Sequence, residues 1–192
     1  MTKKEVALIT GGGTGIGFAI AKKLHSMNKT VVLTGRRKEK LLQAKKILKK
    51  RCHIIEHDIS QLDSIPKLVI DIEKKIGPIN CLINNAGMHL RKIAVETTDE
   101  EWKNVIDTNL NSVFSLSREC AKKMIRRKKG NIILVGSVTT IMGLPDVTAY
   151  ATSKTALSGL ARTLAIELGK YSINVNCICP GFIQTDIFKR VR

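Results

Sequence analysis

The chain has 192 residues, of which 33 are Lys or Arg and 16 are Asp or Glu, so its formal net charge is +17. Hydrophobic residues make up 43% of the chain, which is too many for a disordered protein and enough for the core of one domain. The 14 glycines and 4 prolines exclude a collagen-like or low-complexity protein, and no apolar run approaches the roughly 20 residues of a transmembrane helix.

Strand-like and helix-like segments alternate along the chain. The apolar patterns predict strands at 6–9, 30–34, 53–56, 81–83, 131–135 and 173–178, and helices at 17–27, 38–50, 65–76, 99–129 and 148–168. The helix at 99–129 is long enough that we expect it to bend. Strands that are apolar on both faces and alternate with helices indicate a parallel sheet covered on both sides. Right-handed crossovers then give an α/β, doubly wound Rossmann fold, with residues 1–192 as a single domain.

A glycine-rich turn lies between the first strand and the first helix. Its spacing is Gly11-xxx-Gly15-x-Gly17, with Thr14 and Ile16 in the intervening positions. Glycines let the backbone turn tightly and approach a pyrophosphate, while the helix N-terminus supplies N–H donors and the positive end of its dipole. The turn therefore predicts dinucleotide binding.

The end of the second strand bears on which dinucleotide binds. NAD-binding folds place an acidic residue there for the ribose 2′-hydroxyl, but this chain has Arg36 and Arg37, and its first acidic residue is Glu39. Guanidinium groups form bidentate bonds with phosphate. The pair therefore favours NADP(H) over NAD(H), unless both arginines simply face solvent.

Tyr150 and Lys154 are four residues apart on the predicted helix at 148–168, so they share one helix face. A neighbouring ammonium favours the phenolate, so we expect Lys154 to lower the pKa of Tyr150 and make it an acid/base near neutral pH. Ser137 lies 13 residues upstream of Tyr150, just after a predicted buried strand. Doubly wound folds bind their ligands at that end of the strands.

These motifs resemble those of the short-chain dehydrogenase/reductase family over essentially the whole chain. The run 84–87 (Asn-Asn-Ala-Gly), Asn109 and the Pro180-Gly181 pair complete the set in family order and spacing. The resemblance implies that Tyr150 donates a proton to a substrate carbonyl oxygen and that Ser137 hydrogen-bonds it. It also implies that Lys154 holds the nicotinamide ribose and that Asn109 holds a water in a proton relay. Further cofactor contacts implied by the resemblance are Asp58, Asn85, Ala86, Gly87, Pro180, Gly181, Ile183 and Thr185.

The substrate is less well indicated by the resemblance. Residues 180–186 and several other stretches resemble the reductases of 3-oxoacyl groups carried on acyl carrier protein. Residues 88–92 instead resemble dehydrogenases of sugar acids such as gluconate or of polyols. In that case Arg91 would pair with a substrate carboxylate, although it could equally face solvent. A non-catalytic, nucleotide-binding partner protein is a third alternative.

Positive charge is concentrated in two runs, residues 36–51 and 118–129. They are either solvated helix faces or a surface that attracts an acidic partner such as a carrier protein. Aromatic residues make up only 4% of the chain and no nucleic-acid-binding motif is present, so we expect neither nucleic-acid nor membrane binding.

Cysteine usage predicts the compartment, and the histidines give no reason to expect a metal site. The five cysteines are scattered and odd in number, which is typical of a reducing cytosol, and the start of the chain does not resemble a secretory signal. We therefore expect a cytoplasmic protein whose cysteines, including Cys177 and Cys179, are small buried residues. The four histidines show no ligand spacing, so we expect each to be a surface or loop residue.

The chain is shorter than the usual domain of the family it resembles. The resemblance implies that the substrate lid and the last strand would follow residue 192, and that these parts often build a homotetramer. We therefore expect weak cofactor binding and poor turnover from these 192 residues, and a homo-oligomer when the C-terminal part is present.

Overall fold

Six strands form one sheet in the computed structural model, which describes residues 5–183. All pairs are parallel and the strand order is 3-2-1-4-5-6, which confirms the predicted doubly wound Rossmann fold. The strands are β1 (Val6–Thr10), β2 (Thr30–Gly35), β3 (Cys52–Glu56), β4 (Ile79–Asn84), β5 (Gly130–Val135) and β6 (Ile173–Ile178).

Helices cover both faces of this sheet. They are α1 (Gly15–Ser26), α2 (Lys38–Leu48), α3 (Ile65–Lys75), α4 (Asp99–Ile106), α5 (Ser112–Arg127) and α6 (Thr148–Gly169). Successive residues of a strand point to opposite faces, so Leu8 packs into the larger hydrophobic cluster with α3, α5 and α6, whereas Ile9 packs into the cluster beneath α1 and α2. This explains why the strands are apolar at consecutive positions.

The order of the strands reverses between β1 and β4, and this reversal positions the site. In doubly wound sheets a crevice opens at such a point beyond the carboxyl ends of the strands. Here the glycine-rich turn follows β1 and the Asn85–Gly87 segment follows β4, so the two lie side by side.

The predicted helix at 99–129 is interrupted rather than continuous. Thr98 begins α4 with a capping box, in which its hydroxyl accepts from the Glu101 N–H at 3.2 Å. Residues Asp107–Asn111 then form a π-helical turn before α5 begins. Such turns widen the helix locally and are frequent at functional sites, and this one buries Asn109 completely.

One expectation about burial is wrong. Cys52 and Cys120 are buried, but Cys177 is half-buried and Cys179 is exposed, because they lie at the end of an edge strand and just beyond it. In α2 the buried positions are Leu41, Ala44 and Leu48, whereas Leu42 and Ile47 face outward with the lysines. Among residues 5–183, no helix is both long and apolar enough to cross a membrane.

Candidate active site

A cleft of about 620 Å³ lies beyond the carboxyl ends of β1, β2, β4 and β5. It joins the predicted phosphate end of the site to the predicted catalytic end. Gly17 and Asn109 do not line the cleft but support it from behind, and Thr185 falls outside the described residues. The predicted residues that line it are Gly11, Thr14, Gly15, Ile16, Arg36, Arg37, Asp58, Asn85, Ala86, Gly87, Arg91, Ser137, Tyr150, Lys154, Pro180, Gly181 and Ile183.

The glycine-rich turn packs so closely that side chains are excluded. Gly11 has a φ of 63°, in the left-handed region that favours glycine. A Cβ at Gly17 would lie 2.5 Å from the Gly11 carbonyl oxygen and 2.5 Å from Asn85 Nδ2. The Asn85 amide in turn donates to the Thr10 carbonyl at 2.9 Å. The turn thus leaves backbone N–H groups at the start of α1, where no acidic residue stands, and this cradle fits a pyrophosphate.

The two arginines lie at the mouth of this end of the cleft. Arg37 Nη2 donates to the Thr14 hydroxyl at 3.1 Å, and Arg36 Nη1 lies 3.9 Å from Asp58 Oδ2. Burial favours the neutral form of Asp58, but hydrogen bonds from Ser60 and the charge of Arg36 outweigh it and lower the pKa of Asp58. Both guanidinium groups remain exposed and fit a terminal phosphate.

Tyr150, Ser137 and Lys154 meet at the other end of the cleft. The Lys154 ammonium lies 5.8 Å from the centroid of the Tyr150 ring and donates to the Val135 carbonyl at 2.8 Å. Lys154 is only 5% exposed, and this burial lowers its pKa to about 8.

The expected direction of the Tyr150 pKa shift is wrong. Burial raises the pKa of Tyr150 above its ordinary value, and the hydrogen bond with Ser137 opposes this only in part. The physical reason is that desolvation disfavours the phenolate, while the hydrogen bond of the Lys154 ammonium is made to the Val135 carbonyl and not to the phenol. In this structure Tyr150 is therefore held as a neutral proton donor.

Asn109 joins the two sides of the cleft from behind. Its Oδ1 accepts from the Met88 N–H at 2.8 Å, while Nδ2 donates to the Met88 carbonyl at 2.9 Å and to the Ser153 hydroxyl at 3.0 Å. Ser153 donates onward to the Tyr150 carbonyl at 2.7 Å. Asn109 thus fixes the loop after β4 against the helix that carries Tyr150, and the water implied there by the family resemblance stays a prediction.

Sequence reasoning missed two histidines that line the cleft. The His89 ring lies 4.6 Å from the Tyr150 ring, centroid to centroid, and burial followed by the charge of Arg91 lowers the pKa of His89. His57 lies beside Asp58, and burial lowers its pKa although Asp58 opposes this. The only signal in the sequence is that each follows a strand at its carboxyl end. Within the described part of the chain, no group of three metal-ligating side chains occurs.

The position of Arg91 is compatible with both roles considered for it, a contact with a substrate carboxylate and a solvent-exposed side chain. Its Nε is 3.8 Å from Asp146 Oδ2, and its side chain is half-exposed at the edge of the cleft. It could therefore reach both a substrate in the cleft and the solvent.

A dinucleotide cradle joined to a cluster of Tyr150, Ser137 and Lys154 defines a nicotinamide-dependent oxidoreductase. Comparison with known proteins agrees, since the family model described as short chain dehydrogenase matches residues 5–192. The chain therefore belongs to the short-chain dehydrogenase family, whose members bind a nicotinamide cofactor, and it is an oxidoreductase that acts on CH–OH or C=O groups.

Two curated relatives illustrate the range of similar proteins. Nodulation protein G from Rhizobium sp. (strain N33) is 37% identical over 179 residues, which cover 93% of this chain and 73% of the relative. The 3-oxoacyl-(acyl-carrier-protein) reductase FabG of Buchnera aphidicola subsp. Baizongia pistaciae (strain Bp) is 36% identical over 185 residues, covering 96% of this chain and 76% of the relative.

Solved structures share the same fold. A variant of actinorhodin polyketide ketoreductase, crystallised with NADPH, superposes with a TM-score of 0.94 at 32% identity, covering 98% of this chain and 74% of that one. A candidate gluconate dehydrogenase from Agrobacterium tumefaciens gives a TM-score of 0.93 at 30% identity, covering 98% of this chain and 76% of that one.

Proposed function

We propose that the protein is an NADPH-dependent carbonyl reductase that reduces the ketone of a 3-oxoacyl thioester, with Tyr150 as proton donor. The observation that carries this proposal is the half-buried Tyr150 beside Ser137, in the same cleft as the exposed Arg36 and Arg37. The FabG relatives support the substrate class, and the ketoreductase crystallised with NADPH supports the cofactor.

The cofactor would be held along the whole cleft, and when bound it supplies the hydride. The N–H groups at the start of α1 would bind its pyrophosphate, and Arg36 with Arg37 would bind the 2′-phosphate. Asp58 would contact the adenine, and Lys154 would bind the nicotinamide ribose. The segment Asn85–Gly87 would form the floor. Pro180, Gly181 and Ile183 would hold the carboxamide end together with Thr185.

The reduction of a ketone builds negative charge on its oxygen, and the chain must stabilise that charge. Burial keeps the Tyr150 phenol protonated, so it can donate its proton to this oxygen. Ser137, which is itself 8% exposed, would donate a second hydrogen bond to the same oxygen. Two fixed donors in a site that excludes water stabilise the transition state without reorganising.

A sugar-acid or polyol substrate is the second candidate, because His89 and Arg91 add basic groups beside Tyr150. The structural neighbour from A. tumefaciens, a candidate gluconate dehydrogenase, supports this second candidate. An acidic carrier protein as partner, a homo-oligomer and a cytoplasmic location stay predictions.

The test is oxidation of NADPH, and separately of NADH, by the purified chain with acetoacetyl thioesters of acyl carrier protein and of coenzyme A. A 5-keto sugar acid is assayed in parallel. We expect slow but measurable turnover of the thioesters with NADPH and still less with the sugar acid. Turnover of the keto sugar acid alone would replace the proposed substrate with the second candidate. Saturable NADPH binding without turnover of any of these ketones would contradict both.

The lowered pKa of Lys154 predicts how cofactor affinity depends on pH. The side chain loses its charge as the pH rises through about 8, and the ammonium is the form that donates to ribose hydroxyls. Because the apparent Kd scales inversely with the competent fraction, we expect the Kd of NADPH to rise about tenfold from pH 7 to pH 9. Titration of cofactor fluorescence measures it. The Lys154→Met variant should bind weakly with a flat pH profile, and a flat profile in the unmodified protein would contradict the role of Lys154.

A further inference from the structure

Two thiols converge behind the cleft, at the end of β6. The Sγ atoms of Cys177 and Cys179 lie 4.0 Å apart. Cys177 is half-buried and Cys179 is exposed, so the pair is open to solvent on one side. Alternate residues of a strand share a face, which places both thiols on one side of the sheet.

The neighbouring strand makes room for both sulfurs. Gly136 follows β5, and a Cβ at that position would lie 3.0 Å from Cys177 Sγ and 3.1 Å from Cys179 Sγ. Any larger residue would push the sulfurs aside. The Thr140 hydroxyl oxygen is 3.7 Å from Cys179 Sγ, and the Ile178 carbonyl oxygen is 4.0 Å from Cys177 Sγ. Each thiol therefore has the other thiol and one long oxygen contact among its polar neighbours.

We propose that Cys177 and Cys179 form a two-thiolate site for a soft cation of low coordination number, such as Cu(I). Metal–thiolate bonds are roughly 2.3 Å long, so one ion can bridge sulfurs at the observed separation of 4.0 Å with a bent geometry. Soft thiolate ligands select Cu(I), whereas harder ions prefer oxygen or need more ligands.

The protonation of the two thiols and the nearby charge of Lys154 affect cation binding at this site. Burial raises the pKa of Cys177 to about 11, so a cation must displace the thiol proton to bind. Lys154 lies close enough that thiolate charge on either cysteine raises the pKa of its ammonium. Two thiolates with one Cu(I) carry a net charge of −1, which the adjacent ammonium stabilises. The buried ammonium of Lys154 therefore compensates the negative charge of the occupied site.

The test is titration of the reduced chain with Cu(I), supplied as its acetonitrile complex without oxygen or thiol reductants. Native mass spectrometry gives the stoichiometry, and competition with bicinchoninate gives the affinity. We expect one Cu(I) per chain. Cys177→Ser and Cys179→Ser should each weaken binding by about 100-fold, because the second sulfur of a chelate binds intramolecularly. The matched control is Cys81→Ser, which removes a lone half-buried thiol and should leave binding unchanged.

Cys179 is exposed, so its replacement tests the site without disturbing the core, and thermal unfolding of each variant verifies this. Cys177 packs against the large hydrophobic cluster, so Cys177→Ala is measured beside Cys177→Ser. Copper binding that survives either Cys179→Ser or Cys177→Ala would overturn the proposal. So would a reduced chain that binds no Cu(I), or a Cys177–Cys179 disulfide that resists reduction.

Discussion

Replacing Tyr150 with phenylalanine should lower the turnover of a ketone substrate by about 1,000-fold, the loss typical of a missing general acid. The phenol is half-buried and kept neutral, and Ser137 lies beside it, so its proton is available where the carbonyl oxygen would lie. The ring itself remains in the variant, and with it the packing against His89. Steady-state rates of NADPH oxidation measure the effect, and the affinity for NADPH should change little.

The chain contains one other tyrosine, which serves as the matched control. Tyr171 follows α6, outside the cleft, where Lys170 contacts its ring at 5.3 Å. Tyr171→Phe should therefore keep full turnover. Equal rates in the Tyr150 and Tyr171 variants would remove Tyr150 from the chemistry. Loss of NADPH binding in the Tyr150 variant would instead point to a role in holding the cofactor.

The second large effect concerns cofactor choice. Replacing both Arg36 and Arg37 with alanine should raise the KM for NADPH by about 100-fold, since a hydrogen bond to a charged group contributes about 1.5 kcal/mol or more. The KM for NADH should stay nearly constant, because NADH lacks the 2′-phosphate. The measurement is the ratio of kcat/KM for the two cofactors with one ketone substrate.

Loss of positive charge alone could weaken the binding of any anionic cofactor, so the control removes the same charge elsewhere. Arg51 and Arg126 are exposed residues that do not line the cleft. The double alanine variant at these two positions should leave the NADPH preference intact. An equal loss in both double variants would show that the preference is a field effect of the whole surface. If the ratio of kcat/KM for NADPH and NADH were unchanged in the Arg36/Arg37 variant, other residues would have to bind the 2′-phosphate.

Local features of the chain were predictable because their causes are local. The strand at 173–178 has the same bounds in the structure, since alternating Ile, Val and Cys residues meet the core at a period of two. The first helix begins at Gly15, two residues before its predicted start. Tyr150 and Lys154 share a helix face because four residues make about one turn.

Features that depend on contacts between distant segments were not predictable. The π-helical turn at Asp107–Asn111 has no signature in its own residues, since its effect is to bring Asn109 to Met88 and Ser153, which lie 21 and 44 positions away. The position of His89 against Tyr150 likewise depends on how the loop after β4 crosses the cleft.

The sequence by itself determined the class of fold, the glycine-rich turn and the Tyr–Lys pair, because periodicity and short spacings encode them directly. Only the tertiary structure decided the direction of the Tyr150 pKa shift and the meeting of two sulfurs above Gly136. Spacing alone placed an ammonium near a phenol, and that predicted a lowered pKa. Burial instead raises the pKa of Tyr150. Desolvation depends on all the segments that together cover the phenol, so the spacing of two residues cannot predict it.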